Sequence, residues 1–225
     1  METPPNPELL RALGKLVRGL SALFWGLPAA LIICVGTAVG GWFRAFSIAP
    51  AMITTGLILY GLWQIGAFQK QERPWRLALD RARLVALINF GLSPFLYWWN
   101  KMPDNSFFST VVGLLAVSSL LFLFNLNLVI ARLGEMIPDE TLRQETRQFT
   151  VINRGLLVLL LVVASCYVFL LQMPNLPYGL INILIRLQYI GQPAVLLLVL
   201  LPLSLTMSLL WKTKEVIMDS LFTHR

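Results

Sequence analysis

Six long apolar runs separated by short polar gaps organise this chain of 225 residues: Leu20–Phe43, Ile48–Phe68, Leu84–Trp99, Phe107–Ile130, Gly155–Gln172 and Pro193–Trp211. A hydrocarbon core about 30 Å thick takes about 20 helical residues to cross. The first, second, fourth and sixth runs meet that length. The fifth is shorter, with a uniformly apolar centre. The third carries Asn89 and Pro94 and closes on Tyr97, Trp98 and Trp99, an aromatic cluster suited to a membrane–water boundary. The pattern predicts an all-α integral membrane protein, a bundle of six transmembrane helices. A cytoplasmic arm at 1–19 precedes a membrane domain at 20–211, and a cytoplasmic tail at 212–225 follows it. Within the domain, 69–83 and 134–154 are expected on the cytoplasmic side, and 178–190 as a short outer helix.

Charge sets direction. The arm holds Arg11, Lys15 and Arg18, and the second gap holds Lys70, Arg73, Arg76, Arg81 and Arg83. The fourth gap holds Arg132, Arg143, Arg147 and Arg154, and the tail Lys212, Lys214 and Arg225. The opposite face keeps only Arg44, Lys101 and Arg186 of the 18 Lys and Arg residues. Under the positive-inside rule this asymmetry places both termini in the cytoplasm of a cell-membrane, multi-pass protein. It also requires an even number of spans, since losing the third would put the last two basic segments on the wrong face.

Composition agrees: 57% hydrophobic and 13% charged residues, with mean hydropathy +0.72, against about 45–50% apolar and about 25% charged in soluble domains. The net charge of +7 lies beside apolar runs, so its expected partner is the bilayer itself, through anionic headgroups on the cytoplasmic side, rather than nucleic acid. The first run exceeds an ordinary signal-peptide core in length, and is expected to stay as an anchor. Cys34 and Cys166 each lie inside an apolar run and read as small hydrophobes. No disulfide, metal site or cofactor is implied.

Two polar gaps read as helical extensions. In Glu72–Arg83, Pro74 suits a first turn. Trp75, Ala78, Leu79, Ala82 and Ala86 fall on one face at helical spacing. Arg76 and Asp80 form an i, i+4 pair on the other. Trp75 is expected as a headgroup anchor, and Trp75, Arg76 and Arg83 as a docking surface. In Pro138–Asn153, Asp139 and Glu140 suit a first turn, Asp139–Arg143 and Thr141–Glu145 are i, i+4 pairs, and Arg143 and Arg147 share a face as a second docking candidate. A weak internal echo links Ile88-Asn89-Phe90-Gly91-Leu92 to Ile152-Asn153-Arg154-Gly155-Leu156, suggesting three helical hairpins of like orientation.

Candidate chemistry is sparse. No Asp or Glu falls well inside a run, and the one histidine is His224. Ion-coupled transport and proton pumping call for ionisable groups at depth, and no nucleophile–base pair or nucleotide-binding loop rises above background. The polar residues at depth are Gln64, Thr54, Thr55, Asn89, Ser93, Asn125, Asn127, Ser204, Thr206 and Ser208. Asn125 and Asn127 point about 200° apart. Together these residues are read as interhelical contacts or as a polar lining. Gly36 and Gly40 form a GxxxG packing motif. Arg186, at i, i+4 from Asn182 on the outer segment, is a candidate anion contact. Pro28, Pro94 and Pro202 predict kinks. The expected function is non-catalytic: a scaffold, accessory subunit or assembly factor working beside other membrane subunits. The alternative is a channel or facilitator for a small neutral or lipid-like substrate, and a continuous polar face joining Asn89, Ser93 and the last run's hydroxyls would support it.

Overall fold

The computed structural model describes residues 7–39, 46–68, 72–136, 140–171 and 199–219. Among them the secondary structure is helical and contains no strand. The helices are α1 (Pro7–Val39), α2 (Ala49–Ile65), α3 (Arg73–Leu92), α4 (Phe95–Lys101), α5 (Ser106–Met136) and α6 (Glu140–Leu171), followed by α7 at 199–219. Three segments are long and apolar enough to cross a membrane: Arg11–Ala38, Ser106–Met136 and Arg143–Val163. α2 is equally apolar in character but has 17 residues, about 26 Å at about 1.5 Å each.

The expected extensions form where their local chemistry directs. α3 starts behind Glu72, whose extended backbone (ψ 111°) ends the preceding segment, with Pro74 in the first turn, where a missing N–H costs nothing. The polar stretch before the fifth run continues into it as one helix of 32 residues. α1 likewise begins well before Leu20 and runs for 33 residues, about 50 Å, longer than a hydrocarbon core about 30 Å thick. Pro28 is accommodated inside α1. Pro94 separates α3 from α4, although Ser93 and Pro94 both keep helical dihedrals. The third run is therefore two consecutive helices, α3 and α4, interrupted at Ser93–Pro94.

α1 packs on α2, α2 on α3, α3 on α5 and α5 on α6, while α4 touches α1 and α5. These contacts include the α1–α2 and α3–α5 pairs that hairpins require. The connection between α6 and α7 lies outside the described residues. α7 reaches α1 through Trp211, whose ring lies 5.3 Å from that of Phe24. The main core runs through Leu16, Leu20, Leu62, Ile65, Trp75, Leu79, Leu126, Ile130, Leu133 and Leu157. A smaller core of Ala51, Leu96 and Leu115 lies at the other end, packed by Cys34, Ala38 and Val112. Large apolar side chains also face outward around the bundle, among them Trp25, Ile32, Ile53, Trp63, Leu114 and Val158, a surface suited to lipid and unusual in water. Cys34 and Cys166 are both free thiols.

The α1–α2 contact rests on a glycine pair. A Cβ added at Gly19 would lie 2.7 Å from the Gly61 carbonyl oxygen, and one at Gly61 would lie 3.0 Å from the Gly19 oxygen. Only glycine at both positions lets the backbones approach this closely. Of the GxxxG motif, Gly36 is half-buried, and Gly40 lies outside the described residues.

Trp75 corrects an expectation. Its predicted stripe is right, since Trp75, Leu79, Ala82 and Ala86 all lie on the buried face of α3. That stripe faces the core rather than headgroups. Trp75 is 1% exposed, and its Nε1–H donates to the Phe68 carbonyl at 3.2 Å. Protein covers the whole indole, which belongs to the main core, whereas a headgroup layer would cover one side. The Arg76–Asp80 pair is replaced by Arg83–Asp80 at 3.4 Å, and Glu145 pairs with Lys212 of α7. Asp139 lies outside the described residues.

Candidate functional site

Two buried polar groups and one basic hollow hold the polar chemistry of the described residues.

The first group joins α2 to α3. Thr54 and Thr55 turn inward from α2. Thr55 Oγ1 donates to the Ala51 carbonyl at 2.7 Å and lies 3.4 Å from Ser93 Oγ. Ser93 is fully buried, and its hydroxyl donates to the Phe90 carbonyl at 2.9 Å. Asn89, one turn earlier, is also buried, and its Oδ1 has no protein partner. The shared face expected for Asn89 and Ser93 is present, and it meets α2.

The second group joins α5, α6 and α7. Asn127 of α5 donates Nδ2–H to the Leu123 carbonyl at 2.8 Å and to Thr206 Oγ1 at 3.1 Å. Asn153 of α6 donates to Asn127 Oδ1 and to Thr206 Oγ1, both at 2.9 Å. Thr206 in turn donates to the Pro202 carbonyl at 2.7 Å. All three residues are fully buried. In a low-dielectric interior such a network gains strength from each satisfied member. Asn153 entered the sequence reading only through the internal echo. Its signal was available nonetheless: Asn153, Leu157 and Leu160 stand at i, i+4 and i+7, a buried stripe of α6.

Helical spacing splits the remaining candidates. Ser204 and Ser208 share the exposed side of α7, opposite Thr206, and Ser204 bonds to its own helix at Leu201. Asn125 likewise bonds to its own helix, donating to the Leu121 carbonyl at 2.7 Å. Gln64 is half-buried near the end of α2. The Asn89–Ser93 group faces α2, while Thr206 bonds with α5 and α6, so among the described residues the two groups meet different helices.

The hollow lies where α2 ends and α3 begins. It encloses about 370 Å³ and is lined by Gly66, Phe68, Trp75, Arg76, Leu79, Asp80 and Arg83. Arg83 crosses to α2. It donates Nε–H and Nη2–H to the Leu62 carbonyl at 3.3 and 3.2 Å, and stands over the Trp63 ring at 5.5 Å. The Leu62 carbonyl also accepts the Gly66 backbone N–H at 3.3 Å, so Arg83 adds a further donor at the helix C-terminus and complements its dipole. Of the expected docking trio, Trp75 is core and Arg83 caps α2, which leaves Arg76 exposed at the rim. On α6, Arg143 and Arg147 are exposed, and Arg143 Nη2 donates to the Glu135 carbonyl at 3.3 Å.

The other end carries aromatic contacts. Phe95, Trp98, Phe107 and Phe108 form a ring cluster, and Asn100 donates to the Ala38 carbonyl at 2.8 Å, tying α4 to the end of α1. Arg186 and the expected outer helix at 178–190 lie outside the described residues. Among the described residues no group of three or more His, Cys, Asp or Glu side chains could hold a metal ion. The chain matches no protein-family model, no curated protein and no solved structure.

Proposed function

We propose that this chain is a multi-pass component of the cell membrane, with both termini in the cytoplasm, acting as a non-catalytic scaffold, accessory subunit or assembly factor. One observation carries this reading: several polar side chains inside the bundle bond helix to helix. Asn127, Asn153 and Thr206 tie three helices, Arg83 and Trp75 tie α3 to α2 and the turn after it, and Asn100 ties α4 to α1. Polar residues in packed membrane helices serve association in this way. The exposed Arg76, Arg143 and Arg147 suit anionic headgroups or an acidic subunit on the cytoplasmic side.

Purification in a gentle detergent followed by native mass spectrometry tests the proposal. Stoichiometric recovery with another membrane protein is the expected result. Recovery alone, or as a homo-oligomer retaining a small molecule, would favour a facilitator of small neutral substrates. The unpartnered carbonyl of Asn89 is the observation on that side. Asn89→Leu and Ser93→Ala variants that fold yet abolish a measured flux would establish the facilitator. Orientation is tested by cysteine-accessibility labelling: residues beside Lys101 and beside Arg81 should react from opposite faces.

A further inference from the structure

The stripe Thr146, Thr150 and Asn153 on α6 carries three polar atoms that no protein group satisfies. The residues are 2%, 5% and 0% exposed, and Thr146 Oγ1, Thr150 Oγ1 and Asn153 Oδ1 are buried without a hydrogen-bond partner. Elsewhere in these helices a buried threonine turns its hydroxyl onto its own backbone. Thr37, Thr55, Thr206 and Thr213 each donate to the carbonyl four residues back at 2.7 Å. Thr146 and Thr150 do not.

The register of the antiparallel pair α5–α6 puts the three atoms on one seam. Asn153 meets Asn127. Seven residues along each helix, Thr146 meets Gly134, where an added Cβ would lie 3.4 Å from Thr146 Oγ1. Thr150 falls between these contacts, at the level of Ile130. With a rise of about 1.5 Å per residue, neighbouring atoms of the stripe are separated by about 4.5 and about 6 Å along the axis. Those gaps are too wide for a direct bond. The gap of about 4.5 Å between Asn153 and Thr150 suits one water, joined by two bonds of about 2.8 Å, whereas two such bonds fall short of the gap of about 6 Å to Thr146. Buried waters characteristically bridge polar groups left unsatisfied by protein.

We propose that Thr150 and Asn153 form a buried hydration site at the α5–α6 seam, holding one water between Asn153 Oδ1 and Thr150 Oγ1, with Thr146 one turn further along the seam. Asn153 Oδ1 only accepts, so the water donates to it, and each hydroxyl both donates and accepts. A metal cation fits the seam poorly. The neighbouring acid, Glu145, is paired with Lys212, and an uncompensated charge is costly to bury.

The test is a structure of the full chain in lipid nanodiscs at a resolution that orders water. Density within about 2.6–3.2 Å of both Asn153 Oδ1 and Thr150 Oγ1 is expected. A protein donor bonded directly to Asn153 Oδ1, no density in the seam, or an ion coordinated at about 2.4 Å by several oxygens would overturn the proposal. Thr150→Val and Thr150→Ser supply an independent reading by SDS unfolding titration. Valine keeps the shape and removes the bridging oxygen, so the folded-to-unfolded ratio should fall about tenfold, while serine stays within about twofold. Equal stability of Thr150→Val and the native chain would overturn the proposal. Should the valine variant fail to fold, the density test stands alone.

Discussion

Between α1 and α2, two glycines bring backbone against backbone, and Leu16, Leu20, Leu23 and Leu62 close the seam with apolar surface. At the α5–α6–α7 junction, Asn127, Asn153 and Thr206 meet through side-chain hydrogen bonds of 2.9–3.1 Å. Lipid tails are as apolar as leucine, so neither contact is driven by removing apolar surface from the bilayer. The first contact uses shape: it asks nothing of hydrogen bonding and has no room for another carbon. The second uses donors and acceptors: it tolerates changes of volume better than the loss of one polar atom. A single bundle thus combines both known means of holding membrane helices together, one on each side.

The largest departure is expected beside the shape-dependent seam, at Trp75. Trp75→Ala removes a fully buried indole and should cost about 3–5 kcal/mol in SDS titration of the purified protein. A cost near zero would return Trp75 to the surface. Next comes the glycine pair: Gly19→Leu should cost about 1–3 kcal/mol or prevent folding by overpacking. Gly14→Ala, where an added Cβ meets nothing within 4 Å, is the control and should be neutral or slightly stabilising, because alanine favours the helix over glycine. In the polar junction, Asn153→Leu should cost about 1–2 kcal/mol, because it leaves Asn127 Oδ1 buried and unpaired. Combined with Thr206→Val it should be less than additive, and strict additivity would remove the network from the account. Smaller again is the rim pair Lys212–Glu145, with both side chains more than 40% exposed. Lys212→Met should cost at most about 1 kcal/mol, and that cost should shrink as salt is raised. The least effect is expected for Ser204→Ala and Ser208→Ala on the exposed face of α7, within about 0.5 kcal/mol of neutral.

The candidate site was partly legible. Asn89, Ser93 and Thr206 were read as polar residues at depth, and all three are buried. Ser204, Ser208 and Asn125 were grouped with them on composition, and their bonds or exposure set them apart. A residue two positions along a helix turns by about 200°, so alternate hydroxyls on α7 cannot share a face. Asn127 was weighed and Asn153 noticed only as part of a repeat, because an asparagine's value at depth depends on which other amide or hydroxyl it meets.

What this chain's sequence determined alone is the helical class, its apolar character, the helical extensions at Arg73 and Glu140 and the interruption at Pro94. Each follows from local properties: hydropathy, first-turn chemistry and the missing N–H of proline. Only the tertiary structure decided that Trp75 is core, that Arg83 caps α2, that Gly19 and Gly61 form a close approach, and that Asn127, Asn153 and Thr206 converge. Those outcomes depend on which helix faces which and at what register, and a one-dimensional pattern of polar and apolar positions carries a face without naming its partner.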